Sequence, residues 1–575
     1  MNDFFNSQKY IEKVKDVFLF PRKNVSVILT IVFLILFALL QLRLVSNTFY
    51  VDTDNNIHST TEGYGDIPLH LTQISKFAFS DNFNLNEPIY YGNSLQYPFI
   101  TNLIRGLFLR FSGAWTASVL WPVYILVIAN IVLLFLIYKR FLKNNALTIV
   151  AFLIFFLGSG LNAWNSLKFD AVFPDQNIDF RAPISLVFIH QQTFFLGFLF
   201  FLLFIWLLFL IKENPQRKYF IIAGIVFGCL PLIHTHSFVA ATAVLFFSLI
   251  LSLKKGYKHY LKGLLLTFSI GVVLSLPQLY FLLSAKNTLS VAADFARFRL
   301  GWMMETGIGA IQFPTDQRSV FSLAFLDFLW VNLGIILPLF IICFIIAIIY
   351  RKYFNGEDKS NILIFGLSGL SIFTVVQLIK FQPWDFDNNK LLVYFLFFTA
   401  SFIIWLLSYI LRNHKYIKGV VITGVLILST YSCVVEVTPR LLIAKKDLPI
   451  VFSNDAQLMA EYIRLNTDEN NMILTSTTHR NPVSSLAGRQ VVVGYPGWLW
   501  TRGINYSARE NEVMSFYRSP NLNSTLFEEF PISYILIDDT AVKDYKADVA
   551  TFDHIFTKVF EAGDYILYSI PKPLN

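Results

Sequence analysis

Charged residues are scarce in this sequence. Asp, Glu, Lys and Arg make up 15% of its 575 residues, whereas a soluble domain carries about 25%, so the composition excludes an ordinary soluble domain. Cysteine is rarer still, because the sequence contains only Cys229, Cys343 and Cys433. These three lie far apart, in or beside apolar runs, which excludes a disulfide framework and a CxxC metal site.

Several catalytic and nucleotide-binding motifs are also absent. The sequence has no Walker loop, no GxGxxG after a strand, no HExxH and no GxSxG. Each motif has a physical basis, such as a glycine-rich turn that cradles a phosphate or two histidines on one helix face. Their absence excludes a nucleotide cradle of the familiar kinds.

Apolar and aromatic residues are abundant instead. The sequence is 55% hydrophobic and contains 60 Phe. A bilayer core of about 30 Å needs about 20 apolar residues per helix, and runs of that length predict a polytopic α-helical membrane protein with about eleven transmembrane helices. The run from Val25 is followed by Arg43 rather than a small-residue cleavage site, so it predicts a retained first span. The runs begin near Val25, Ser118, Ala146, Thr193, Tyr219, Phe238, Leu261, Phe325, Ile362, Leu391 and Val420.

The distribution of Lys and Arg predicts the orientation. Basic residues crowd the N-terminal segment and then every second connection, while the other connections are longer and carry acidic and aromatic residues. By the positive-inside rule, segment 1–24 is predicted to be cytoplasmic, 25–438 to form the membrane domain with a large first outside loop at 47–115, and 439–575 to lie outside. The chain is thus expected in the inner or plasma membrane as a multi-pass protein. Its net charge of +8 reflects orientation and not nucleic-acid binding.

The segment 439–575 has the composition of a soluble domain. Strand-like runs begin at Met472, Gln490 and Tyr534, and the segments 455–465 and 544–556 have helical spacing. They predict a small extracytoplasmic α/β domain at the C-terminus.

The first outside loop holds a carboxylate and a histidine at the start of a predicted helix. Apolar residues recur at helical spacing after Ile67, so Asp66 is expected at the N-terminus of this helix and His70 one turn on. An Asp in this position is a common N-cap, and an N-cap role would keep its pKa low. The functional interpretation is that Asp66 is a carboxylate at the membrane surface that accepts a proton from a substrate hydroxyl. The N-cap role and the role as proton acceptor are compatible with each other.

The order of these features resembles the GT-C superfamily, which comprises integral membrane glycosyltransferases that use lipid-linked sugar donors. The likeness rests on a first span, an outside loop with Gly65-Asp66-x-x-x-His70, many further spans and an outside α/β domain. Within the superfamily, the chain is most similar to bacterial polyprenyl-phosphate-sugar enzymes of the mannosyltransferase and arabinosyltransferase kind. The resemblance implies that Asp66 is the catalytic base. Many members have a second acidic residue beside it, where this chain has Gly65 and Ile67, so a Mg²⁺ or Mn²⁺ cofactor stays open.

A second polar cluster lies in the outside turn between Lys380 and Lys390. Trp384, Asp385 and Asp387 suit a sugar, because a tryptophan ring stacks on a sugar face and carboxylates bind hydroxyls, while Lys390 suits a phosphate. The other reading is a polar connection between two helices, with Trp384 in the interfacial aromatic belt.

His70 is predicted to bind substrate beside Asp66, and further candidate substrate-binding residues lie at helix ends and in the C-terminal domain. His190, His234 and His236 are costly beside a membrane span unless they line a wet cavity. We favour that reading over a zinc site, because the spacing supplies no third ligand; ordinary interfacial histidines are the alternative. The domain candidates, which suit binding of sugar and phosphate or docking on the bilayer, are Arg489, Trp498 and Trp500.

These features together predict a GT-C type glycosyltransferase (EC 2.4 class) of the cell envelope. It would transfer a sugar from a polyprenyl-phosphate donor to a hydroxyl of a lipid or glycan acceptor on the extracytoplasmic face, with Asp66 as general base and Lys390 at the leaving phosphate. The missing nucleotide cradle agrees with a lipid-linked donor. Two other classes stay open: a lipid-carrier transporter or flippase, and a glycolipid-binding assembly protein without catalysis. An enzyme requires Asp66 and the turn 385–390 to face one cavity.

Overall fold

The structure is a computed structural model that describes residues 25–60, 65–161, 163, 180–253, 258–284, 297–301, 322–354, 356–381 and 385–571. Most of the described chain is helical. The α-helices are α1 Val25–Ser46, α2 Ile67–Phe79, α3 Ile100–Ser112, α4 Trp115–Leu142, α5 Asn145–Leu157, α6 Pro183–Leu186, α7 Gln192–Glu213, α8 Arg217–Ile233, α9 Thr235–Ser252, α10 Lys258–Ser284, α11 Leu323–Leu333, α12 Ile336–Tyr350, α13 Gly356–Leu378, α14 Lys390–Ile410, α15 Lys415–Leu442, α16 Asn454–Asn466, α17 Pro482–Ser485, α18 Pro496–Thr501, α19 Ser507–Arg518, α20 Thr525–Glu529, α21 Asp539–Lys543 and α22 Val549–Ile555. Short 3₁₀ turns occupy Arg351–Tyr353, Asp385–Asn389 and Lys445–Asp447.

The strands form three small sheets. They are β1 Phe49–Val51, β2 Ile57–Ser59, β3 Arg297–Phe298, β4 Ile379–Lys380, β5 Ile450–Phe452, β6 Met472–Leu474, β7 Ile532–Ile537, β8 Thr557–Ala562 and β9 Tyr565–Ser569. The sheet orders are β1-β2-β5, β3-β4 and β6-β7-β9-β8.

The predicted polytopic helical architecture is confirmed. Within the described residues, nine helices are long and apolar enough to cross a membrane: α1, α4, α7, α9, α10 and α12 to α15. The shorter helices α5 and α8 coincide with two more of the apolar runs. Helix α14 is the most enclosed of these nine helices, since 83% of its most apolar stretch is buried inside the protein. It therefore forms the centre of the bundle.

One predicted span is interrupted. The apolar run near Phe325 was expected to form one helix, but it divides into α11 and α12 at Gly334. The φ angle of Gly334 is +53°, a conformation that glycine adopts without steric cost and that ends a helix.

The C-terminal domain is an α/β unit, as predicted, although its secondary structure differs in two places. Strands β6 and β7 and helix α16 occupy the predicted segments, whereas the run after Gln490 forms only isolated bridges, such as that between Val493 and Tyr90 of the first loop. The predicted helix 544–556 shortens to α22. Lys546 has a φ of +62° and Asp548 caps the helix by accepting from the Ala550 N–H, so the helix begins only after both residues.

The first loop and the C-terminal domain are packed against each other. Strand β2 of the loop pairs with β5 of the domain, and Ser75 of α2 donates to the Ser485 carbonyl at 2.6 Å. Gly488 lies so close to α2 that a Cβ there would be 2.7 Å from the Ser75 carbonyl oxygen. The two segments thus form one layer over the end of the helix bundle.

Candidate active site

A cavity of about 540 Å³ lies where the helix bundle, the first loop and the C-terminal domain meet. The loop contributes Asp66 and Tyr97, the bundle contributes the 3₁₀ turn and the first residue of α14, and the domain contributes α18. Its charged and aromatic lining residues are Asp66, Tyr97, Arg181, His190, Phe386, Asp387, Lys390, His479, Tyr495, Trp498, Trp500 and Arg502.

Asp66 immediately precedes α2, but its side chain does not cap that helix. Only its backbone carbonyl takes part in the first turn, where it accepts from the His70 N–H at 3.1 Å, and Pro68 presets the helical φ. The carboxylate instead accepts a hydrogen bond from Gln191 Nε2 at 3.1 Å. Asp66 therefore occupies the predicted N-cap position, but its side chain makes no capping hydrogen bond, and the carboxylate lies at the cavity wall.

The electrostatic environment of Asp66 also differs from the expectation. Burial raises the pKa of this carboxyl above its usual value, and the nearby Asp387 raises it further, whereas Lys390 and the Gln191 hydrogen bond lower it in part. Burial has the largest effect because desolvation penalises the charged form. The predicted low pKa is thus wrong, because no helix N–H groups solvate the carboxylate.

The turn before α14 brings a second carboxylate and a lysine to the cavity. Asn388 donates to the Ile379 carbonyl at 2.7 Å and thereby ties the 3₁₀ turn to β4. Asp387 Oδ1 and Lys390 Nζ form an ion pair at 2.9 Å, and both residues line the cavity. Trp384 and the side chain of Asp385 lie outside the described residues.

His190 lies in the cavity wall and is held from two sides. Its Nε2 accepts from Arg440 at 3.0 Å, and its Nδ1 hydrogen bonds with Thr60 Oγ1 at 3.1 Å. Arg440 is fixed in turn by Glu436 at 3.1 Å. Because Nε2 is an acceptor here, Nδ1 carries the hydrogen, and the ring has a defined orientation towards the cavity.

The other three candidate histidines lie elsewhere. His234 and His236 line a neighbouring cavity of about 110 Å³ that shares Asp387 and Lys390 with the larger one. His234 also caps α9 through the Ser237 N–H. His70 lines neither cavity: its Nδ1 accepts from Asn102 at 3.2 Å, and burial lowers its pKa to about 3, so it is a neutral packing residue beneath the site.

The candidates in the C-terminal domain are divided between two places. Trp498 and Trp500 line the cavity, whereas Arg489 is buried outside it. Its guanidinium donates to the carbonyls of Ala487, Arg464 and Thr467 at 3.0–3.3 Å. Arg489 therefore satisfies carbonyl groups at the C-terminal end of α16 and does not reach the cavity.

Several lining residues were not among the predicted site residues. The sequence gave local hints for two of them, because Gln191 follows His190 directly and Arg502 belongs to the arginines after the tryptophans, which suit sugar and phosphate. Arg502 pairs with the nearly inaccessible Glu87 of the first loop at 2.7 Å, a contact between residues 415 positions apart that no local pattern indicates. Tyr97 and His479 likewise reach the cavity only through the docking of loop and domain.

The two described carboxylates of the cavity, Asp66 and Asp387, do not by themselves fit a divalent cation. Asp66 and Asp387 are engaged by Gln191 and Lys390, and across the described ranges no group of three or more His, Cys, Asp or Glu side chains is placed to hold a metal ion. Mg²⁺ and Mn²⁺ prefer several oxygen ligands, which these two carboxylates alone do not supply.

Comparison with known proteins places the fold. No family model matches the chain, and no curated protein matches it. Among solved structures, the chain is similar to the oligosaccharyltransferase AglB of Archaeoglobus fulgidus tethered to an acceptor peptide with an NVT sequon. The identity is 12%, the match covers 95% of this chain and 75% of AglB, and the TM-score is 0.51. The same values hold for AglB in complex with an inhibitory peptide and a dolichol-phosphate.

ArnT of Cupriavidus metallidurans bound to undecaprenyl phosphate matches with 10% identity over 95% of this chain and 98% of ArnT, at a TM-score of 0.46. The likeness to AglB, extended over nearly the whole chain, shows that this chain shares the fold of AglB. The resemblance predicted from the sequence is confirmed at the level of the fold.

Proposed function

We propose that this protein is a glycosyltransferase that moves a sugar from a polyprenyl-phosphate donor to a hydroxyl of an acceptor, with Asp66 as the general base. The observation that carries the proposal is the convergence of Asp66 and Lys390 on one cavity at the end of the helix bundle. A carboxylate and a cation in one cavity supply what this reaction requires, a proton acceptor and a partner for the departing phosphate.

The fold supports a lipid-linked substrate. AglB, which shares it, has been seen with a dolichol-phosphate. In this chain the cavity adjoins α14, the most enclosed membrane helix, so a phosphate at Lys390 would have its lipid tail near the bundle. The head group would then lie at the cavity and the polyprenyl chain in the bilayer.

The chemical step needs one proton transfer and one substitution at the anomeric carbon. The acceptor oxygen forms a bond to that carbon, its proton passes to the Asp66 carboxylate, and the bond between carbon and phosphate oxygen breaks. The electron pair leaves with the polyprenyl phosphate, whose charge Lys390 stabilises. The raised pKa of Asp66 makes it a stronger base than an exposed aspartate.

Holding the substrates in register accounts for the rest of the catalysis. Fixing two reactants in a near-attack geometry supplies several kcal/mol of a barrier. Gln191 fixes the carboxylate, Asp387 fixes Lys390, and Arg440 fixes His190. These three contacts keep the side chains of Asp66, Lys390 and His190 from reorienting. With the positive-inside orientation, the cavity opens on the extracytoplasmic face of the plasma membrane.

The test is a product analysis with the full chain reconstituted in nanodiscs and a panel of polyprenyl-phosphate sugars. We expect Asp66→Asn to lower turnover by about 10²–10⁴-fold, the usual contribution of a general base. Asp54→Asn is the matched control, because Asp54 is an exposed carboxylate of the same loop. If the folded Asp66→Asn variant keeps near-normal turnover, Asp66 is not the base. If the wild type transfers no sugar from any donor of the panel, the proposed activity is wrong.

A further inference from the structure

We propose that the acceptor is a carbohydrate, and that the C-terminal domain binds it on an aromatic wall formed by Tyr495, Trp498 and Trp500. This inference rests on the proposed function and adds the chemical class of the acceptor to it. The aromatic wall lines the same cavity as Asp66.

The aromatic wall is built from a very short helix. In α18, Leu499 is fully buried and anchors the helix in the core of the domain. Its neighbours Trp498 and Trp500 are only half-buried and line the cavity. Successive residues of a helix diverge by about 100°, so the burial of Leu499 directs both tryptophans to its flanks.

The rings of the aromatic wall are held in place before any ligand binds. Tyr495 and Trp498 are 5.2 Å apart between ring centroids, and His479 packs on both, at 4.7 Å and 4.9 Å. Gly497 permits this packing, because a Cβ at that position would be 2.6 Å from the Tyr495 ring. Rigid aromatic rings offer contact area at a low entropic cost.

The aromatic wall is in register with the catalytic base. His479 Nε2 donates to the carbonyl of Gly65 at 2.9 Å, and Gly65 is the residue directly before Asp66. A ligand on the rings therefore lies next to the carboxylate that removes the proton. Lys390, the first residue of the membrane helix α14, lines the same cavity and suits the donor phosphate. The acceptor then lies on the aromatic wall and the donor phosphate at Lys390.

The chemistry of the aromatic wall favours a sugar over a peptide or a lipid. A pyranose has a flat face of C–H groups and a rim of hydroxyls, and the C–H face is attracted to the electron-rich face of an aromatic ring. Thr501, Arg502 and Gln191 line the same cavity, and their polar side chains suit the hydroxyl rim. Trp498 and Trp500 lie on α18 and Tyr495 directly precedes it, so the described aromatic wall presents no strand edge to a peptide backbone. The cavity that it lines also holds the charged side chains of Asp66, Lys390 and Arg502, which do not suit a lipid tail.

The experiment measures binding apart from catalysis. The purified full chain in detergent is applied to an array of defined oligosaccharides, to an array of peptides and to vesicles of phosphatidylethanolamine and phosphatidylglycerol. We expect wild type and Asp66→Asn to bind the same oligosaccharides, Trp498→Ala to bind them at least tenfold more weakly, about 1.4 kcal/mol, and Trp498→Phe to retain most of the affinity. Trp121→Ala, at a 59% exposed tryptophan of α4, is the matched control and should bind as wild type.

The outcomes separate this inference from the proposed function. If sugar is transferred but no oligosaccharide binds, or if Trp498→Ala binds oligosaccharides as the wild type does, the aromatic wall is not the acceptor site. Either outcome leaves the proposed glycosyltransferase activity standing. Preferential binding to the peptides or the vesicles would assign the aromatic wall to that class instead and also overturn the inference. If oligosaccharides bind through Trp498 but no donor sugar is transferred, the acceptor role falls together with the proposed function.

Discussion

Asp66 is a carboxylate whose surroundings oppose its own charge. It receives a hydrogen bond from Gln191 but none from the helix that follows it, and burial outweighs the help of Lys390, so its pKa is raised. A carboxyl with a raised folded-state pKa favours the folded protein when protonated, so this contribution is lost as pH rises through the raised pKa. The site therefore accepts a cost in stability for a stronger base.

At the residue scale we predict the pH dependence of the reaction. Only ionised Asp66 accepts the proton, so kcat/KM should fall as pH decreases through its raised pKa, with an acid limb above the usual value of about 3.9 for aspartate. Lys390→Met should shift this limb to higher pH, because Lys390 lowers the Asp66 pKa and leaves Asp387 unbalanced when it is removed. The measurement is a pH–rate profile of wild type and variant. An acid limb that stays in place in Lys390→Met would show that the two groups do not interact.

At the scale of elements, α2 determines where Asp66 lies, and the C-terminal domain determines where α2 lies. Thr72 and Ser75 on one face of α2 hydrogen bond with Ser485 of α17. Gly488 has a φ of +69° and lets the backbone after α17 approach Ser75 closely. The position of Asp66 is thus set by contacts between residues 410 and 413 positions apart in sequence.

We therefore predict that Gly488→Ala destabilises this junction. A left-handed φ costs a residue with a Cβ about 1–2 kcal/mol, and the new Cβ would meet the Ser75 carbonyl oxygen at 2.7 Å. The apparent unfolding temperature should fall by several degrees, and sugar transfer should weaken as α2 shifts. Gly419→Ala is the control, since a Cβ there meets nothing within 4 Å. Equal unfolding temperatures for the two variants would contradict a close junction at Gly488.

At the scale of the whole molecule, the candidate active cavity is built from three parts of the chain. The bundle supplies Lys390, the first loop supplies Asp66 and the C-terminal domain supplies Trp498. The pairing of β2 with β5 fixes the loop to the domain. The loop, the domain and the start of α14 consequently share one side of the membrane, whichever side that is.

The orientation predicts a labelling pattern in intact cells. Asn523 is exposed on the C-terminal domain and Asn413 is exposed in the basic connection between α14 and α15. A membrane-impermeant maleimide should label Asn523→Cys on intact cells and Asn413→Cys only after permeabilisation. The parent chain gives the background, since Cys343 and Cys433 are buried and Cys229 is partly buried. The reverse pattern would place the cavity in the cytoplasm and remove the proposed reaction from the outer face.

The sequence alone determined the membrane class, nearly all of the helices of the bundle and the likeness to the GT-C fold. These features depend on hydrophobic runs and their spacing. Whether a run can span the membrane depends on about 20 consecutive residues, so it can be predicted from the local sequence. The tertiary structure decided which polar side chains meet. It freed the Asp66 carboxylate from capping, turned His70 and Arg489 into packing residues, and brought Gln191, Lys390 and Trp498 to one cavity. Such convergence depends on contacts between distant segments. The local sequence around an arginine is no guide to whether its side chain lines a cavity, as that of Arg502 does, or donates to buried carbonyl groups, as that of Arg489 does.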